Sequence, residues 1–129
     1  MRQVLLHAAI VGCGGFLGSV LRYCVGLLLE RPSASLHFPL GTLTVNLVGC
    51  ALIGAAAGWS DTRQLLSPEV RAFGVIGILG GFTTFSSFGM EAFSLLREGE
   101  PLRAGVNVVV QVAVGLLFVW LGYLAISRS

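Results

Sequence analysis

At 129 residues, 55% hydrophobic and only 11% charged, the chain falls far below the roughly 25% charge of soluble domains, which excludes an ordinary soluble protein. The length suits a single domain, and a formal net charge of +2 is too small to recruit nucleic acid. All eight basic residues are arginine, and no cluster of His, Cys, Asp or Glu supports an enzyme.

Four apolar runs follow in chain order, each close to the roughly 20 residues a helix needs to cross a bilayer. The first covers residues 4–29 and is interrupted only by His7 and Arg22. A cleaved signal peptide is the other reading of this run, but its apolar character continues beyond any h-region. The second run, 40–59, carries no charge and contains "GTLTVNLVG" (41–49). Its Asn46 is costly inside a membrane and serves either a partner helix or an ion, whereas Thr42 and Thr44 can bond their own backbone.

The third run, 72–96, has one charge, Glu91, and holds "GGFTTFSSF" (80–88). Two glycines followed by two β-branched threonines are poor helix material, so this helix is expected to break near Gly80-Gly81. Carbonyls freed there must be buried or line a cavity, and they are hard oxygen ligands for a cation. Phe82, Phe85 and Phe88 recur every three residues, and the positive edge of an aromatic ring suits an anion. The fourth run, 104–127, is uncharged, and its Asn107 and Gln111 share one face as a polar track or an interhelical seam.

The connectors are short and polar, and Pro32, Pro39, Pro68 and Pro101 fall in or beside them, where helices start or stop. Seventeen of the 18 glycines lie within the runs, a composition that lets membrane helices approach closely. Cys13, Cys24 and Cys50 read as buried free thiols, His7 and His37 as interfacial, and Trp59, Trp120 and Tyr123 as interfacial anchors. Glu91 faces either a wet vestibule or an arginine.

Four helices fill their own centre, so a transport path calls for a second copy. Both termini and the middle connector share one side, with Arg2, Arg63, Arg71 and Arg128. The other side has Arg31, Arg97 and Arg103, and also Arg22 if that side chain reaches outward. Four positives against three or four give almost no orientation signal. Insertion in both directions with antiparallel pairing follows from that balance; the alternative is a small protein oriented by a weak bias.

With these motifs in place, the sequence resembles the CrcB/Fluc family of fluoride channels. The matching pieces are "GGFLGSVLRY" (14–23), "GTLTVNLVG" (41–49), "GGFTTFSSF" (80–88) and "GLLFVWLG" (115–122), which touch all four spans. The resemblance implies an all-α membrane protein of four transmembrane helices, the third broken, assembled as an antiparallel dual-topology homodimer. It implies fluoride-selective passive efflux across a bacterial inner membrane, with fluoride, membrane lipid and a second copy of the chain as partners. Carried over by motif, Asn46, Phe85 and Phe88 line the fluoride pathway, with Ser86 and Ser87 beside them. Arg22 stands at the vestibule. The backbone carbonyls of Gly80 and Thr83, from both subunits, hold a central structural sodium ion. On the fourth helix the family usually has Tyr and Ser where this chain has Asn107 and Gln111, so the track stays polar with different donors. Ser87 stands where Thr is common.

Two other functions are compatible with so small a membrane protein. A dual-topology proton-coupled multidrug transporter requires a carboxylate deep in a central cavity, and the first run has none. A membrane enzyme or assembly factor lacks a supporting cluster of reactive side chains.

Overall fold

The computed structural model describes residues 1–62 and 66–128, so Arg63 lies outside the described residues. Every regular element among the described residues is helical: α1 (Arg2–Leu36), α2 (Leu40–Thr62), α3 (68–82), α4 (Phe85–Arg97) and α5 (Pro101–Ser127). With α3 and α4 taken as one interrupted span, Pro68–Arg97, four helices are long and apolar enough to cross a membrane. The chain is a multi-pass membrane protein.

Prolines mark three of the helix starts. Leu40 follows Pro39, while Pro68 and Pro101 occupy first helical turns, where the missing N–H costs nothing. Ser67 caps α3 by accepting the Val70 N–H at 3.3 Å. Pro32 departs from this pattern, because α1 continues through it to Leu36. It removes one backbone bond in a helix otherwise intact, which membrane helices tolerate. The turn after α1 closes at His37, in the left-handed region with φ 48°, and the turn after α4 at Gly99, with φ 78°.

Two helix pairs carry the packing, α1 along α3 and α2 along α5. Both pairs meet at glycine. A Cβ on Gly14 or Gly18 would collide with the carbonyl oxygens of Phe73 or Ile78, and one on Gly81 would lie 2.5 Å from the Gly15 oxygen. Across the other pair, Gly54 abuts the Val119 carbonyl and Gly122 abuts that of Ala51. Small residues thus bring backbones into direct contact, where lipid supplies no hydrophobic drive between helices.

Residues 71–79 and 110–114 are wound as π-helix, with wider turns than the α-helix around them. Such widening is uncommon and gathers at functional sites. Here both stretches border the same cavity, through Val75 and Leu79 on one side and Gln111 and Val112 on the other.

The interruption expected near Gly80-Gly81 is present, but it lies at Thr83 and Thr84. Gly80 is helical (φ −63°, ψ −37°), whereas Thr83 (φ −86°, ψ 159°) and Thr84 (φ −154°, ψ 120°) are extended. Gly80 and Gly81 stay in the helix, and the β-branched pair leaves it.

Candidate functional site

Two extended residues between α3 and α4 release backbone groups in mid-span, and side chains from α2 and α1 meet them. Thr83 still donates its N–H to the Leu79 carbonyl at 3.0 Å, and its hydroxyl donates to the same oxygen at 2.9 Å. The next N–H, of Thr84, turns away from the Gly80 carbonyl and donates to Asn46 Oδ1 at 2.9 Å. Asn46 Nδ2 donates back to the Thr84 carbonyl at 3.1 Å. The side-chain amide of α2 therefore pairs with Thr84 as one β-strand residue pairs with another.

Asn46 can reach the break because Gly49, one turn along α2, leaves room for it. The Thr83 methyl group rests directly against Gly49. Asn46 Nδ2 also donates to Gln111 Oε1 at 2.7 Å, and Gln111 Nε2 donates to Asn107 Oδ1 at 3.3 Å. The track expected on the fourth helix is thus joined to Asn46 and the break in one amide chain. Its end, Asn107, is 0% exposed, and Asn107 Nδ2 has no hydrogen-bond partner among the described residues.

On the far side of the break Thr84 caps α4. Its hydroxyl accepts the Ser87 N–H at 3.2 Å, lies 3.1 Å from Ser87 Oγ and 3.4 Å from Ser86 Oγ. Three hydroxyls thus gather at the N-terminus of a helix, where unpaired N–H groups and the positive end of the dipole favour an anion. Phe85 and Phe88 follow, their ring centroids 5.5 Å apart and tilted by 60°. Phe88 is buried at 9% exposure, whereas Phe85 stands 82% exposed. Phe82, the first of the three spaced rings, is buried in the core before the break.

Two cavities flank this centre. One, of about 390 Å³, is largely apolar and is bordered by Asn46, Gly80, Thr83, Phe85, Phe88 and Gln111. The other, of about 590 Å³, is more polar and is bordered by Ser19, Arg22, Thr42, Thr84, Ser87 and Glu91. Arg22 points inward rather than to a membrane surface, its Nη1 lying 3.5 Å from the Thr83 carbonyl, the outer limit of hydrogen bonding. Glu91 receives the Thr42 hydroxyl at 2.5 Å, and its second oxygen is buried without a partner among the described residues. It faces this cavity and forms no ion pair with an arginine among the described residues.

Asn46, Phe85, Phe88, Ser86, Ser87 and Gln111 therefore surround one helix break, with Gly80, Thr83 and Arg22 beside it and Asn107 joined to it through Gln111. Thr84, Glu91 and Thr42 belong to the same centre and were not singled out as site residues from sequence. The short-range signal for Thr84 was its place in the Thr-Thr pair, but its partner lies 38 positions away. The three cysteines are free thiols, with Cys13 and Cys24 exposed on the bundle surface rather than buried as expected and Cys50 beside the apolar cavity.

A helix broken in mid-span, its loose backbone held by amides and bordered by cavities on both sides, defines a membrane channel or transporter. The sequence matches the profile of the CrcB-like protein, Camphor Resistance (CrcB) family over residues 9–123. It is 43% identical over 123 residues to the "Fluoride-specific ion channel FluC" of Methylobacillus flagellatus, covering 95% of this chain and 93% of that protein. Identity to the protein of the same name from Rhizobium meliloti is 44% over 124 residues, covering 95% and 97%. "Fluoride-specific ion channel FluC 3" of Methanosarcina barkeri is 41% identical over 113 residues, covering 88% and 84%. The chain belongs to the CrcB family.

Proposed function

We propose that this protein is a fluoride-selective channel giving passive fluoride efflux and resistance to fluoride, working in the inner membrane of a bacterium as an antiparallel dual-topology homodimer. The carrying observation is the break at Thr83-Thr84, which brings amide donors, a hydroxyl-rich helix N-terminus and a pair of phenylalanine rings to one place. Fluoride is small and strongly hydrated, so a path for it must supply close donors in place of water. Amides, hydroxyls and ring edges do so without a fixed charge that would trap the ion, and several weak sites let it leave as well as enter.

The homodimer is supported by Phe85. Its ring is 82% exposed on the rim of an apolar cavity, although its neighbour Phe88 is buried. A second copy against this face would complete a path between the rings.

The same break suits a shared sodium ion. The Gly80 carbonyl has lost the N–H of Thr84, and among the described residues the Thr83 carbonyl receives only the long contact from Arg22. Two copies would offer four such oxygens, a hard donor set. A cation held there would offset the cost of an anion nearby. The arginine and the hydroxyls of the polar cavity would attract fluoride from water toward the break.

Fluoride efflux from liposomes containing only this protein tests the reading. Fluoride should leave rapidly once charge balance is provided, and chloride should not. A proton-coupled multidrug transporter would instead accumulate organic cations against a pH gradient and release no fluoride.

A further inference from the structure

We infer that the gap between the end of α2 and the start of α3 is a binding site for one phospholipid with an amine-bearing zwitterionic headgroup, phosphatidylethanolamine, its phosphate on Arg71 and its ammonium on Asp61. The site lies apart from the amides, hydroxyls and rings at the helix break, and the inference does not rest on the channel reading.

The gap follows from how the helices pair. α2 packs along α5 and α3 along α1, so α2 and the first turns of α3 stand apart. The cavity left between them holds about 370 Å³, and its lining changes character along its length. Ser60, Asp61 and Arg71 border one part of it, and Ile53, Ala56, Leu66 and Val75 border the rest. Asp61 is the penultimate residue of α2, whereas Ile53 stands a little over two turns earlier, about 12 Å deeper along the helix axis. Trp59, next to the polar end, is 45% exposed, which suits an indole at headgroup level. The slot therefore runs from the headgroup region toward the hydrocarbon, polar at its mouth and apolar below, the same order as in a lipid.

The charges decide which lipid fits. Asp61 and Arg71 are both exposed and border one cavity, yet among the described residues they form no ion pair with each other. An acid and a base that face one space without closing on each other suit a ligand carrying both charges. A purely anionic headgroup satisfies Arg71 but brings its phosphate toward the Asp61 carboxylate with no cation between them. Choline carries both charges, but its methylated nitrogen has no N–H to donate. The ethanolamine ammonium donates charge-assisted hydrogen bonds to Asp61, and the guanidinium fork of Arg71 matches a phosphate. The Ser60 hydroxyl can donate to a phosphate or ester oxygen beside them. An acyl chain then passes Ala57 and ends against Ile53 and Val75, which also border the apolar cavity beside the break.

Native mass spectrometry tests this on detergent-purified protein offered equal amounts of dioleoyl phosphatidylethanolamine, phosphatidylcholine and phosphatidylglycerol. One phosphatidylethanolamine per chain should be retained, at least about tenfold more strongly than either other lipid. Asp61→Asn should erase the preference for ethanolamine over choline. Arg71→Gln should weaken all three lipids about tenfold, since each offers a phosphate. Ala57→Leu, which keeps both charges and fills the apolar part of the slot, should displace the lipid whatever its headgroup. Preferred binding of phosphatidylglycerol would overturn the inference, as would equal retention of the three lipids. A wild-type preference that persists in both Asp61→Asn and Arg71→Gln would overturn it too. Absence of any retained lipid would do the same, and dissociation of the assembly by Arg71→Gln on size-exclusion chromatography would then assign the cavity to a second copy of the chain. The competition among headgroups needs no variant, so a poorly folded substitution leaves it decisive.

Discussion

At the scale of single residues, the site depends on groups that lack full charge. The edges of Phe85 and Phe88 would each favour an anion by about 1 kcal/mol, so Phe85→Ile or Phe88→Ile, which keep apolar bulk, should lower fluoride efflux roughly fivefold per ring. Their thermal stabilities should change much less; flux retained with stability lost would make the rings core packing. Asn46→Asp tests a different point. Aspartate still accepts the Thr84 N–H, but in its charged form it cannot donate to the Thr84 carbonyl or to Gln111 Oε1, and it places a negative charge beside both oxygens. Efflux should fall by well over about tenfold while the protein still inserts and folds, as liposome flux and size-exclusion chromatography would show. The residues surrounding the break were legible because each is out of place in a membrane: an asparagine, two amides four apart, hydroxyls between rings. Their partnership was not. Asn46 and Gln111 are 65 positions apart, and nothing local foretells that Asn46 uses both its hydrogens within the protein.

At the scale of helices, glycines determine where backbones touch, and the structure ranks them. A Cβ on Gly18 meets the Ile78 carbonyl and lies 2.8 Å from the Phe82 nitrogen, both backbone atoms that cannot rotate away. Gly18→Ala should therefore push α1 from α3 and cost about 1–3 kcal/mol, read as a lower unfolding temperature in detergent. Gly12→Ala, with nothing within 4 Å, is the control and should match or slightly exceed the wild type. The same contacts explain why the break falls downstream of the glycines. Propensity alone points to Gly80-Gly81, the pair with the greatest backbone freedom. In the fold, Gly81 remains helical because α1 needs its missing side chain, with the Gly15 oxygen 2.5 Å from where a Cβ would stand. The chain leaves the helix at the first position where another element offers replacement bonds, at Thr84, where Asn46 waits. Helix count and span order are set by local hydrophobicity and could be read directly. The site of the break is set by tertiary partners and could be placed only approximately.

At the scale of the whole molecule, orientation turns on a few arginines. The side carrying both termini has Arg2, Arg63, Arg71 and Arg128, and the opposite side has Arg31, Arg97 and Arg103. Arg22 joins neither group, because it points to the Thr83 carbonyl inside the bundle. Four positives against three give the insertion machinery little direction, so both orientations should occur in one membrane, as antiparallel pairing requires. Two lysines added to the connector at 60–71 should hold that connector inside in nearly all copies, and two added at 97–103 should hold the opposite one inside. Each variant alone would then lack an oppositely inserted partner and should leave cells sensitive to fluoride. Co-expression should restore protection, since one variant supplies each orientation. A tag-accessibility assay would establish the orientation of each. If either variant, shown to insert in a single direction, protects cells fully by itself, the working unit is parallel or monomeric. The exposed face of Phe85 would then need another cover, and carbonyls from two opposed copies could not meet around one sodium ion.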